Sequence, residues 1–313
     1  TEAKRIKSMF TAIAVSPDGE TIALGNSHGT LVLVDSMLEK MRAFPAKDGG
    51  DLYALAFTPD GAHLAAGYYD GGIRIWSRKG KLVRQWKAHP SRVTALAFHP
   101  DGTMLASASA YMFSSEERRA KESKRIKLWR MEGTPLGEMQ AHSSQSIHFT
   151  GSGSHLVSGG LFDGNIKVFA LGDRSSRDMV VSRGPARSPR HVALSPDGTN
   201  IVSADSYFNP PGLNIWKFSG GRLARLRRAA GKISSVAMAP NGRVFATTGL
   251  DRTIRVWSAS GRLLKRLTGF SEFVDELAFS PDGRFLVGAG HELIIWDHSG
   301  SEVARVKAHA KGS

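Results

Sequence analysis

Eleven histidines and twenty-eight carboxylates are the side chains from which a general acid, a metal centre or a nucleophilic triad would be built. Their spacing supports none of these. His28, His63, His99, His155, His291 and His298 fall beside corners or at strand starts, and most Asp and Glu occupy turns, where Asp bonds nearby backbone. No HExxH pair, phosphate-cradling loop, calcium loop or nucleophile elbow is present, and Gly151-Ser152-Gly153 is a hairpin corner rather than a serine site. The absence of cysteine removes disulfides, thiolate ligands and a Cys nucleophile. The expectation is a non-catalytic protein with no cofactor and no metal.

Chemistry suited to binding is easier to find. Tyr111, Met112 and Phe113 precede Arg118, Arg119 and Lys121; Tyr207 and Phe208 lie in a second irregular stretch; Arg183, Arg187 and Arg190 fall between them. Aromatics and Arg are what interface centres favour, so these eleven residues form the candidate partner-binding set. A further basic run, Arg222, Arg225, Arg227 and Arg228, is an alternative anion-binding flank. On an outer strand the same charges would guard against edge pairing.

The net charge of +14 over 313 residues attracts acidic partners, nucleic acid or anionic surfaces. It is uneven: the basic excess is 3 in residues 1–110, 8 in 111–231 and 3 in 232–313. With 41% hydrophobic and 22% charged residues the chain reads as globular. No apolar run reaches the roughly 18 residues that a membrane span needs. The chain begins at Thr1, which points to processing or to a piece cut from something longer. Cytoplasm is favoured as compartment, and a periplasm is equally compatible with the lack of Cys.

What positions these residues is a repeated corner. Ser16-Pro17-Asp18-Gly19 recurs at Thr58–Gly61, His99–Gly102, Ser195–Gly198, Ala239–Gly242 and Ser280–Gly283, with a degenerate copy at Thr150–Gly153. Pro presets the first central φ of a type I turn, Asp or Asn tolerates the second, and Gly takes the positive φ on exit. Successive corners are 41 to 51 residues apart, a period that means a repeat architecture. Around each corner lie short runs rich in Val, Ile and aromatics, as in Tyr53 to Phe57, Ala62 to Gly67, Ile73 to Trp76 and the charged Lys81 to Trp86. Four strands in each of seven repeats predict an all-β fold, a seven-bladed β-propeller of four-stranded antiparallel blades. The blades run approximately 10–45, 52–88, 93–141, 146–182, 190–229, 233–268 and 273–308, in one domain over 1–313.

At this point the residues resemble a known family. Ile73-Arg74-Ile75-Trp76, Ile126-Lys127-Leu128-Trp129, Ile254-Arg255-Val256-Trp257 and Leu293-Ile294-Ile295-Trp296-Asp297 are similar to the Trp-Asp strand ends of WD-repeat propellers. Ala88-His89, Ala141-His142 and Ala308-His309 resemble that family's Gly-His. The turn-rich, Cys-free composition looks bacterial. The resemblance implies an interaction platform, and a network of loop His, second-strand Ser or Thr, corner Asp and terminal Trp in each repeat. No repeat here has the full set: the third has His89, Ser107 and Trp129; the fourth has His142, Ser158 and Asp163 but ends in Phe169; the sixth has Thr248, Asp251 and Trp257. Many members also borrow the last outer strand from the N-terminus. Here Glu302 to Val306 aligns with Val83 to Trp86, so the seventh unit is expected to supply its own and the ring to close by packing.

The two irregular stretches, 110–123 and 205–212, are insertions at equivalent corners and are expected on one face. The expectation is therefore a scaffold that binds a protein partner on that face, in a larger complex or acidic in surface charge. Nucleic-acid or anionic-surface binding through the basic middle third is the alternative, and an enzyme with a site in the propeller channel is the second.

Overall fold

Each of the seven corners closes in the same way in the computed structural model, which describes residues 9–45, 50–110, 124–141, 143–161, 165–172, 176–180, 189–205, 212–226 and 232–307. The Gly N–H donates to the carbonyl three residues earlier, from Gly19 to Ser16 at 2.8 Å through Gly283 to Ser280 at 2.8 Å. The Asp side chain locks the turn: Ser16 Oγ and the Glu20 N–H both donate to Asp18 Oδ1, at 2.6 and 3.0 Å. The degenerate copy makes the same bond, Gly153 to Thr150 at 2.8 Å. Gly153 still supplies the positive φ of 72°, so losing Pro and Asp leaves the turn intact.

Twenty-eight strands, β1 to β28 in chain order, form seven four-stranded antiparallel sheets, each from four consecutive strands. The innermost strands are β1 (Phe10–Val15), β5 (Leu52–Phe57), β9 (Val93–Phe98), β13 (Ser143–Phe149), β17 (Pro189–Leu194), β21 (Ile233–Met238) and β25 (Val274–Phe279). The molecule is a seven-bladed β-propeller. The last blade is completed by β28 (Glu302–Lys307), paired to β27 (Glu292–Asp297), so its outer strand is its own; residues 3–8 lie outside the described residues.

There is no single core. Seven apolar clusters each lie between two neighbouring blades, as expected when one sheet's face must be buried against the next. In six of them the last large residue of a blade's third strand packs on the blade before it: Trp76, Trp129, Phe169, Trp216, Trp257 and Trp296. At the junction of seventh and first blades Val34 takes that place, alongside Phe10, Val287 and Ile295. That cluster closes the ring. The corners meet there too: a Cβ added to Gly19 would stand 4.0 Å from Pro281.

The polar network is partial, and one of its members differs from expectation. In the third blade Trp129 Nε1 donates to Ser107 Oγ at 2.8 Å, and His89 Nε2 lies 2.8 Å from the same oxygen. Trp216 donates to Ser203 at 2.9 Å, and Trp257 to Thr247 at 3.0 Å. Thr247, not Thr248, is the partner in the sixth blade, because the register sets Phe245 opposite Trp257 and Thr247 opposite Arg255. Thr248 faces the other way and donates to the Val274 carbonyl at 3.3 Å. Asp251 pairs with Arg255 at 2.6 Å. In the fourth blade Ser158 meets Ser144 at 2.7 Å; His142 and Asp163 lie outside the described residues.

Two bulges recur around the ring, one in five of the seven sheets and one in all seven. One lies on outer strands: Val83, Leu223, Leu264 and Val303 are the extra residues where Trp76, Trp216, Trp257 and Trp296 meet their outer partners, and all four are exposed. A bulge twists an edge away from a would-be partner strand. The other lies at the start of every inner strand and builds the site.

Candidate functional site

All seven inner strands skip register at the same place. The skipped residues are Thr11, Tyr53, Thr94, Gln145, Arg190, Ser234 and Asp275. A bulged residue leaves the ladder and is re-aimed. All seven line one cavity of about 430 Å³, the mouth of the central channel.

Their lengths divide the work. Thr11 donates to the Leu52 carbonyl, Thr94 to Ser144 at 2.6 Å and Ser234 to Val274 at 2.9 Å, each stitching its blade to the next. The four longer side chains, Tyr53, Gln145, Arg190 and Asp275, line the cavity, joined there by Arg92, Lys232 and Glu276. Tyr53 donates to Asp51 at 3.0 Å and lies 5.2 Å under the Arg92 guanidinium. Arg190 Nη2 donates to Gln145 Oε1 at 3.2 Å.

Burial sets the charges. It pushes the Glu276 carboxyl up to about 8, against the opposing Ser235 hydroxyl, which donates to it at 3.2 Å. Burial also raises Asp275, with His291 opposing. It holds His191 down at about 3, helped by the Arg190 charge, and it lowers His148. At neutral pH His191 is therefore neutral and Glu276 protonated, and they share the lining with the basic side chains of Arg92, Arg190 and Lys232. Three buried polar atoms of the lining have no protein partner among the described residues: Arg92 Nε, Gln145 Nε2 and Asp275 Oδ2. Such a lining can hold polar and anionic groups. Among the described residues, no three His, Asp or Glu side chains gather as metal ligands.

The cavity opens on the end of the propeller where second strands pass to third strands. There the first insertion departs between β10 (Leu105–Ser109) and β11 (Arg125–Trp129), and the second between β18 (Asn200–Asp205) and β19 (Leu213–Lys217). Exposed Tyr69, Leu250 and Phe273 are at that end too, Tyr69 with its ring 6.4 Å from Tyr53. All Pro-Asp-Gly corners are at the opposite end.

Of the partner-binding set, Arg190 is described, and it lines the channel mouth. Tyr111, Met112, Phe113, Arg118, Arg119, Lys121, Arg183, Arg187, Tyr207 and Phe208 lie outside the described residues. Of the alternative basic run, Arg222 and Arg225 lie on β20 (Arg222–Leu226), with Arg222 exposed and 5.9 Å over Trp216; Arg227 and Arg228 lie outside. Sequence reasoning missed Tyr53, Arg92, Gln145, Lys232, Asp275 and Glu276. A signal existed: in six blades the bulge residue follows the first residue of its inner ladder, and in the fourth it follows the second; in all seven it stands one before a small or polar residue, as in Phe10-Thr11-Ala12 and Leu52-Tyr53-Ala54.

Comparison with known proteins gives the following. Residues 133–169, 221–258 and 261–297 match the WD domain, G-beta repeat, and residues 2–124 match the Vps8 beta-propeller. Telomerase protein component 1 of Rattus norvegicus is 29% identical over 252 residues, 79% of this chain; the chain spans 9% of that relative. Small ribosomal subunit protein RACK1y of Oryza sativa is 33% identical over 102 residues, 30% of each. Among solved structures, U3-55K superposes with a TM-score of 0.77 at 21% identity, over 91% of this chain and 89% of that one; the RRP9 WD40 repeats give 0.77 at 22%, over 91% and 88%. These two likenesses concern the fold. The sequence relatives named are eukaryotic, so the bacterial look of the composition finds no support in them.

Proposed function

We propose that this chain, a seven-bladed propeller of WD repeats, is a non-catalytic scaffold that docks a protein partner within a larger assembly, on the face that carries the channel mouth and the two insertions. The observation that carries the reading is the ring of bulges: every blade aims one side chain into the mouth of the channel. Exposed Tyr69, Leu250 and Phe273 add apolar contact area on the same face. Function on loops held by a rigid frame is the ordinary arrangement. Two relatives are named as parts of assemblies, a telomerase protein component and a ribosomal subunit protein, and support the same reading. The aromatic and basic residues of the insertions, Tyr111 to Phe113 and Tyr207 to Phe208 above all, extend this surface in the proposal.

The test compares faces. Proteins captured by the intact chain are compared with those captured by a triple variant, Tyr69→Ser, Leu250→Ser and Phe273→Ser, by deletion of residues 111–122, and by an outer-strand control, Leu223→Ser. Loss with the first two and retention with the third is expected; loss with Leu223→Ser alone would move the partner to the rim. Salt-sensitive retention of polynucleotide that vanishes on replacing Arg225, Arg227 and Arg228 would instead favour the nucleic-acid reading.

A further inference from the structure

We propose that the channel mouth reads a carboxylate: an aspartate or glutamate side chain of the docked protein segment enters the cavity and is bound between Arg92, Gln145 and Arg190, while the segment's main-chain N–H donates to Asp275. The proposal deepens the scaffold reading and rests on it.

The lining presents two donors without protein partners, Arg92 Nε and Gln145 Nε2, and one such acceptor, Asp275 Oδ2. Buried polar groups are normally paired, so atoms left open on a cavity wall mark what its occupant brings. Two donors beside cations call for an anionic acceptor, and the lone acceptor calls for an N–H. An acidic residue within a peptide carries both, one side-chain length apart. Gln145 is oriented for this role, because its Oε1 already accepts from Arg190 at 3.2 Å, which turns its amide nitrogen away from Arg190. Arg92 is oriented by stacking on Tyr53.

Charge supports an anionic occupant, and the open acceptor supports a carboxylate carried by a peptide. Arg92, Arg190 and Lys232 share the wall with Asp275 and Glu276. With Glu276 protonated, the basic side chains outnumber the remaining carboxyl, so the wall favours an anion; the open acceptor Asp275 Oδ2 asks for an N–H on the same ligand, which a peptide-borne carboxylate brings and inorganic phosphate does not. A nucleotide base would need an open aromatic face, and the Tyr53 ring has Arg92 over it and Tyr69 beside it. A volume of about 430 Å³ holds a few residues of extended chain rather than a folded element.

The probe is a labelled, capped hexaglutamate peptide, with capped hexaglutamine and a uridine hexanucleotide as comparisons, titrated by fluorescence anisotropy at low salt. Hexaglutamate is expected to bind and hexaglutamine not. Arg92→Gln and Arg190→Gln should each weaken hexaglutamate by at least about tenfold, as loss of one partner in a buried charge-assisted contact does. Arg92→Lys, which keeps the charge and loses Nε, should weaken it as well. A double control, Arg222→Gln with Arg225→Gln, removes more charge from the outer strand and should leave binding unchanged. Thermal melts check that each variant is folded. Equal loss in the outer-strand control, full binding by Arg92→Gln, or tighter binding of the uridine hexanucleotide at the same residues overturns the proposal. If Arg92→Gln and Arg190→Gln leave capture of cellular proteins intact while the Tyr69, Leu250 and Phe273 variant abolishes it, the carboxylate subsite falls and the scaffold reading stands.

Discussion

His89 and Trp129 converge on one oxygen: the imidazole Nε2 and the indole Nε1 each lie 2.8 Å from Ser107 Oγ. All three residues are buried, and burial with the nearby Lys127 charge holds His89 down at about 3. The corner Asp that would meet the other ring nitrogen is replaced by the insertion, and His89 Nδ1 has no partner among the described residues. Ser107→Ala therefore strips two buried groups at once. A cost of about 2–3 kcal/mol is expected, against about 1–2 kcal/mol for Ser203→Ala, which strips the Trp216 N–H. Urea denaturation of both variants measures the difference.

Trp76 presents the converse case. Its buried N–H has no acceptor among the described residues, and register puts Ala66 where the third, fifth and sixth blades carry Ser107, Ser203 and Thr247. Ala66→Ser should add the missing bond and raise stability by about 1 kcal/mol. An unchanged or lower midpoint in urea would mean that the hydroxyl fails to reach the indole.

Two glycines with positive φ should respond unequally to Ala. Gly71 has φ 81°, and a Cβ there would stand 2.2 Å from the His89 carbonyl and 2.7 Å from that of Ser91. Gly198 has φ 69°, and its nearest neighbour would be Thr150 at 3.8 Å. Both pay the left-handed penalty of about 1–2 kcal/mol. Gly71→Ala must also push backbone aside where Gly71 accepts the Ala88 and His89 N–H groups, both at 3.0 Å. It should cost several times as much, read as the difference in melting temperature.

Stability should peak near neutrality and fall on both sides. Glu276 titrates at about 8 folded, against 4.5 for the free side chain, so the unfolded chain releases that proton first and stability falls as pH rises between these values. His89 and His191 titrate at about 3, against 6.5, so the unfolded chain takes up protons first and stability falls as pH drops through that interval. Two histidines outweigh one glutamate below about 6.5, where the slopes cancel. Glu276→Gln should abolish the loss above that point and steepen the acid limb, because the glutamate's opposing slope between about 4.5 and 6.5 is gone. Melting temperature against pH for both proteins decides; an unchanged alkaline limb in the variant would sink the assignment.

The strands were readable because their signals are local: a Pro-Asp-Gly corner, a short apolar run and a terminal Trp each lie within a few residues. The degenerate Thr150–Gly153 corner shows which part of that signal mattered, since Gly153 keeps the positive φ while Ser152 stands in for the Asp, its Oγ 3.2 Å from Thr150 Oγ1 and accepting from the Ser154 N–H at 3.4 Å. Confusing Thr248 with Thr247 has a simple origin: adjacent strand residues face opposite sides, and with two threonines in succession only the pairing of Phe245 with Trp257 tells them apart. The channel ring was hidden for another reason. Its members are one blade apart in sequence and no residue type is common to them all; what unites them is a skipped register, a property of the paired strands rather than of either alone.

That skipped register separates two kinds of information in one chain. Residues inside the ladders are dictated by neighbours, so their identities are redundant with the fold. At Tyr53, Gln145, Arg190 and Asp275 the backbone has already left the ladder, and any side chain can be written there without rewriting the blade. The channel mouth is in effect a short message carried on a long, repetitive page, and changing the message does not require a new page.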